Sequence, residues 1–171
     1  KLSLKVAEFR EQLKDYISGR DERLIDLFFL PNDNAQVLRL LRKQEPDGAL
    51  STVYPVKLLE DETQEPDKTI PAYLREFIAD FKEEHLRYDV SPENVLSWMY
   101  YDYMMKADNQ LVKRYAEFSM NLKNLVTALN ARKYGMEVAK EVIGSNEFAV
   151  ALRTSNAKDF GLKLFCHLNI S

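Results

Sequence analysis

Few side chains in this sequence are equipped for bond chemistry, and those few lack the companions that chemistry needs. Asp159-Phe160-Gly161 matches the tripeptide whose aspartate holds magnesium in phosphoryl-transfer enzymes. The glycine-rich loop, strand lysine and His-Arg-Asp that complete such a site are missing. Ser155-Asn156-Ala157-Lys158 fits a Ser-x-x-Lys nucleophile pattern, again without its Ser-Asp-Asn and Lys-Thr-Gly companions. Asn169-Ile170-Ser171 is a glycosylation sequon in a chain whose other features point to a reducing cytoplasm. We read all three as chance matches. Cys166 and His167 are adjacent, so on a helix or strand their side chains diverge and form no nucleophile–base pair. His85 follows Glu83-Glu84 at a predicted helix end, where a protonated imidazole suits the C-terminal dipole.

One carboxylate stands apart. Asp102 lies inside Trp98-Met99-Tyr100-Tyr101-Asp102-Tyr103-Met104-Met105, where burial requires a partner, because an unpaired buried charge costs several kcal/mol. A hydrogen bond to a tyrosine or arginine is the structural reading. A small-molecule site built on Asp102 and its tyrosines is the enzymatic one. The surrounding aromatics suit either a central core helix or a patch for a protein partner.

Composition explains why chemistry is scarce. The chain has 171 residues, 46% hydrophobic and 30% charged, with 5 Gly, 6 Pro, 2 His and 1 Cys. So few turn residues argue against a β-sandwich, a Rossmann unit or a P-loop fold and in favour of long helices. So few His and Cys exclude disulfide frameworks, zinc fingers and multi-histidine metal centres, and no cofactor or metal is expected. The net charge of −3 gives no basic field for nucleic acid. Charge is nonetheless uneven: Glu60 to Asp67 holds five acids and no base, while Leu111 to Lys133 holds five bases against Glu117. The densest apolar cluster, Leu27 to Leu30, stops at Pro31, far short of the ~20 residues of a membrane span.

The elements that must position these residues read as helices almost throughout, so the expected fold class is all-α. Ser3 is expected to cap a first helix through Ile17, with Val6, Phe9, Leu13 and Ile17 on one face. A second helix spans Asp21 to Leu30. Pro31-Asn32-Asp33-Asn34 then predicts a turn, with Ala35 to Lys43 returning as the antiparallel half of a hairpin. From Gln44 to Thr69 the periodicity fails, which predicts a long acidic connection with at most a short element near Val56 to Leu59. Thr69 is expected to cap Pro71 to Glu84, whose stripe is Tyr73, Leu74, Phe77, Ile78 and Phe81. Ser91-Pro92 opens Glu93 to Lys106. Asn109 to Lys133 is the clearest helix. Leu111, Tyr115, Phe118, Leu122, Leu125 and Leu129 alternate by fours and threes, which predicts a buried seam, widened by Val112, Ala116, Ser119 and Val126. Gly135 stops this helix, and two short ones, Glu137 to Ile143 and Asn146 to Arg153, follow. The expected organisation is a helical segment at 1–43, the connection at 44–69 and a helical bundle at 70–171.

Two stretches carry a family resemblance. Leu24-Ile25-Asp26-Leu27-Phe28-Phe29-Leu30 leads to Asp33-Asn34, and Asn121-x-x-Asn124-Leu125-x-x-Ala128-Leu129 runs into Ala131-Arg132-Lys133-Tyr134-Gly135. Together they resemble the helical repeats of the V/A-type ATPase C subunit, called d in the vacuolar enzyme. The order of segments from Leu24 to Leu162 is similar to that of an uncharacterised bacterial family encoded beside V-type ATPase genes. Members of that family run longer at both ends. A chain opening on Lys1 and closing at Cys166 to Ser171 therefore fits a fragment or an incomplete homologue.

The resemblance implies a non-catalytic subunit of an ion-translocating rotary ATPase that joins the central stalk to the membrane ring. Such a subunit would be cytoplasmic and peripheral to the inner membrane through its complex. Its partners would be other ATPase subunits, met through Trp98, Tyr101, Lys113, Arg114 and Lys123. Asp33, Asn34, Asn121, Asn124, Arg132 and Gly135 serve as a folding signature: polar side chains that satisfy neighbouring helices, and a basic helix end. The alternative is a stand-alone cytosolic adaptor whose likeness comes from generic bundle packing.

Overall fold

The computed structural model describes residues 6–65, 69–86, 89–157 and 160. Among them are eight α-helices and no strand, the all-α class expected. The chain divides into two compact units, residues 1–86 and 87–171.

The first unit holds α1 (Val6–Leu13), α2 (Gly19–Leu41), α3 (Val56–Gln64) and α4 (Ala72–Lys82). The expected hairpin is absent: α2 runs unbroken through Pro31 for 23 residues. Proline has no N–H for the helix ladder and costs roughly 3 kcal/mol in a helix interior. What offsets that cost is the fate of the three polar residues after it. As turn formers, Asn and Asp bond to their own backbone. Here they find distant partners instead. Asn32 donates to the Ser51 carbonyl at 2.9 Å, Asp33 accepts from Val53 and Tyr54, and Asn34 accepts from the Tyr73 hydroxyl at 2.7 Å. Only a continuous helix points all three at the connection and at α4.

The connection itself is therefore built onto α2. Gln36, fully buried, accepts from the Asp47 N–H at 3.1 Å. Arg10 donates to the Thr52 carbonyl at 2.9 Å, pairs with Asp26 and lies 4.8 Å over the Phe29 ring. The short element foreseen near Val56 is a full two-turn helix that buries Leu59, Glu62 and Thr63. Thr69 is not a cap, since α4 starts from Pro71 without a side-chain bond. Of the expected α4 stripe, Tyr73, Leu74, Phe77 and Ile78 are buried, and Phe81 is half-buried with its ring 6.0 Å from Phe77. Lys82 closes the unit by donating to the carbonyls of Thr63 and Gln64, the orphan acceptors at the end of α3.

The second unit holds α5 (Pro92–Met105), α6 (Gln110–Tyr134), α7 (Val138–Glu141) and α8 (Glu147–Thr154). Its boundaries follow local capping chemistry. Ser91 accepts from Asn94, Asn109 from Val112 and Asn146 from Ala149, each at 2.9–3.2 Å, and Gly135 takes the left-handed C-cap at φ 69°. Ala128, Val142, Ala149, Leu152 and Phe160 form a core where α6, α7 and α8 meet.

The face that α6 buries matches the expected one only at Leu125 and at Val112 and Ala116 of its widened edge. Val112, Ala116, Met120, Asn124, Ala128 and Ala131 point inward, a four-residue ridge made mostly of small side chains. Leu111, Tyr115, Phe118, Leu122, Val126 and Leu129 point outward, and of the expected seam only Leu125 packs against the core. Small residues let neighbouring helices approach closely along an i±4 ridge, and that geometry decides the orientation over bulk hydrophobicity.

Candidate partner-binding surface

The outward face of α6 carries six exposed apolar side chains among the described residues of the second unit. Its six residues range from 43% exposed at Leu129 to 74% at Leu111. Single exposed leucines are ordinary, but an aligned row of six along one helix makes this face a candidate interaction surface. At its C-terminal end lies an open concavity of about 550 Å³ lined by Leu129, Arg132, Lys133, Ser155 and Asn156. Arg132 is fixed there: its guanidinium donates to the carbonyls of Ser155 and Ala157 and stacks 3.4 Å from the centroid of the buried Phe160 ring. Lys133 is exposed beside it, with its ammonium 5.2 Å from the Tyr134 ring. The row thus starts apolar and ends basic.

The residues expected to meet a partner take several positions around this face. Arg114 is exposed and Lys113 half-buried, both on α6. Lys123 turns inward to α5, donating to Ser97 Oγ at 2.7 Å, and burial lowers its ammonium pKa. Trp98 is half-buried on α5, and its ring edge lies against Gly144. Tyr101 is half-buried, with its ring 5.1 Å from Tyr100, and its phenol is raised by burial and then by the nearby Tyr115. Asp102 accepts from Lys106 at 2.6 Å in an i,i+4 pair open to solvent, and not from an interior tyrosine or arginine.

Behind this surface, polar side chains brace the long helices. Asn124, 1% exposed, grips the peptide of Ile143 from both sides: its Oδ1 accepts from the Ile143 N–H at 2.9 Å and its Nδ2 donates to the Ile143 carbonyl at 2.8 Å. Asn121 accepts from Asn146, the residue that caps α8. Arg153 reinforces the same stretch by donating to the carbonyls of Val142 and Gly144.

Asp33 does the corresponding work in the first unit. Its carboxylate accepts from the N–H groups of Val53 and Tyr54 at 2.9–3.1 Å. Each long helix therefore holds the backbone that leads into the next short helix, α3 in one unit and α8 in the other. The two positions that correspond are Asp33 and Asn124, whereas Asn34 accepts from the Tyr73 hydroxyl. Asn32 and Gln36 belong to the same bracing and carried no signal beyond their residue type.

Asp33 also links the first unit to pH. Burial pushes its carboxyl up to about 6 from the ordinary 3.8, against the backbone donors that hold it down. Because the folded value lies above the unfolded one, the contribution is fully present below pH ~4 and is lost as pH rises through ~6. The gap corresponds to about 3 kcal/mol. Urea denaturation of the wild type and Asp33→Asn across this range should show the wild type losing stability relative to the variant. Parallel pH profiles would refute the assignment.

Asp159, Gly161, Cys166, His167 and Asn169 lie outside the described residues. Among those described, no group of three His, Cys, Asp or Glu side chains is placed to hold a metal ion, and no helix is long and apolar enough to cross a membrane. Comparison with curated proteins and with solved structures returned no match. A family model described as a protein of unknown function, DUF2764, matches residues 1–167. With nearly its whole length matched, this chain belongs to the DUF2764 family.

Proposed function

We propose that this chain is a non-catalytic subunit of a V/A-type rotary ATPase that couples the central stalk to the membrane ring, as the C subunit it resembles does. The observation that carries this reading is the employment of the shared motif residues. Asp33, Asn34, Asn121, Asn124 and Arg132 all direct their polar groups at backbone or side chains of their own unit. Residues used in this way brace helices, and close-packed, braced helices pass on strain with little compliance, as a torque-bearing part requires. The apolar row of α6 supplies a face for neighbouring subunits, which would hold the protein at the cytoplasmic side of the membrane through its complex.

The test is affinity purification of the tagged chain from native membranes in mild detergent. Stalk or ring subunits should co-purify at near-stoichiometric amounts. Recovery of none of them would overturn the proposal. A stand-alone adaptor would use the same α6 face, and recovery of a single cytosolic protein in place of ATPase subunits would favour it.

A further inference from the structure

We infer that the outward face of α6 is a docking surface for one amphipathic helix of a different protein, with acidic residues flanking that helix's apolar stripe. The inference concerns the chemistry of the occupant and holds whichever complex the chain joins. Leu111, Tyr115, Phe118 and Leu122 keep the four-three-four spacing of a two-helix seam, and Leu129 follows one heptad after Leu122, with Val126 filling the edge. Such spacing matches a second helix winding along the first with a slight left-handed supercoil. From Leu111 to Leu129 the row is about 27 Å long at 1.5 Å per residue, which a partner of roughly five turns would cover.

Charge selects among occupants. Helical geometry puts Arg114 and Arg132 along one border of the row and Lys133 at its end, whereas Glu117, the one acid of α6, projects roughly 140° away from Leu122. The border is therefore positive at its two ends, with the neutral Asn121 and Leu125 between them and Glu117 roughly 60° outside Arg114. A second copy of this chain would set one basic border against another, which like-charge repulsion disfavours. A helix with Glu or Asp beside its apolar stripe meets opposite charge in the same place. At the concavity the exposed Lys133 offers a cation to a carboxylate near one end of that helix, Arg132 being committed to the Ser155 and Ala157 carbonyls.

Two labelled peptides of about three heptads test this with the full chain: both carry Leu at the seam positions, one with Glu and one with Lys at the flanks. Fluorescence anisotropy should show the Glu peptide binding at least about tenfold tighter at low salt, with the gap narrowing as salt rises. Phe118→Asp with Leu122→Asp should weaken binding by about tenfold or more while far-UV circular dichroism and Tm stay unchanged. Arg114→Glu with Lys133→Glu should reverse the peptide preference. Equal binding of both peptides, or binding insensitive to the Phe118 and Leu122 changes, would overturn the inference. So would a concentration-dependent dimer in sedimentation that Leu122→Asp abolishes. Failure of maleimide to label Phe118→Cys in a native Cys166→Ser background would overturn it too, since the chain itself would then cover the face. The affinity purification above can fail while the Glu peptide binds, so the two results are separable.

Discussion

Asn124→Ala should destabilise the second unit by about 4 kcal/mol, the largest effect we expect from any single polar-to-alanine change. The side chain is 1% exposed and Ile143, whose peptide it grips, is 5% exposed. Truncation removes both hydrogen bonds at once. It leaves a donor and an acceptor of Ile143 without their partner in a place that water reaches poorly, and it opens a small void beside the buried Met120 and Ala128. Asn124→Asp keeps the shape and one acceptor but faces the Ile143 carbonyl with an oxygen where a donor stood, so it should cost nearly as much. Chemical denaturation gives the free energies. Hydrogen exchange at the Ile143 amide separates the mechanism from general loosening, because that amide should lose protection ahead of the amides in the middle of α5. A cost under about 1 kcal/mol would show that the bonds are readily replaced by water.

Gly144→Val should be comparably damaging, at about 4 kcal/mol, for an unrelated reason. Gly144 sits at φ 81°, a backbone region that β-branched residues strongly resist. Space is also lacking. A Cβ there would stand 3.0 Å from Met120 Sδ and 3.1 Å from Trp98 Cζ3. The methionine end can move, but the indole is a rigid plate held in α5, so overpacking of roughly 1–3 kcal/mol adds to the backbone strain. Trp98 is the one tryptophan in the chain, so its fluorescence reports directly on this contact. A shifted emission maximum together with a lowered denaturation midpoint is the expected pair. Gly144→Ala should show the same signs at smaller size. A fully stable Gly144→Val would mean that the loop re-forms elsewhere.

Several elements were legible because their determinants are local. Ser91-Pro92, Asn109, Gly135 and Asn146 set helix ends through bonds that reach only three or four residues, and each acts where its type and position indicated. The bracing residues were readable as polar signals in helices but not as contacts, since Asn124 reaches 19 residues ahead and Asp33 reaches 20. Pro31-Asn32-Asp33-Asn34 misled for the same reason: turn chemistry is a local preference, and partners at Ser51, Val53, Tyr54 and Tyr73 outweighed it. The α6 face failed differently. The helix has two apolar sides, one bulky and one small, and spacing alone ranks the bulky side first. Close approach to α5, α7 and α8 demanded the small one, and so turned the seam toward solvent.

Asp33 and Asn124 hold the segments ahead of α3 and α8 by main-chain atoms. Asp33 never touches the side chains of Val53 or Tyr54 through these bonds, nor does Asn124 touch that of Ile143. Any residue other than proline presents the same amide to the grip. The bonds themselves thus set no side-chain type at the gripped residues, whereas they demand an Asp or Asn on the gripping side. Two proteins sharing this architecture could carry different side chains at the gripped positions, as far as these bonds are concerned, and still need an Asp or Asn at one position in each long helix.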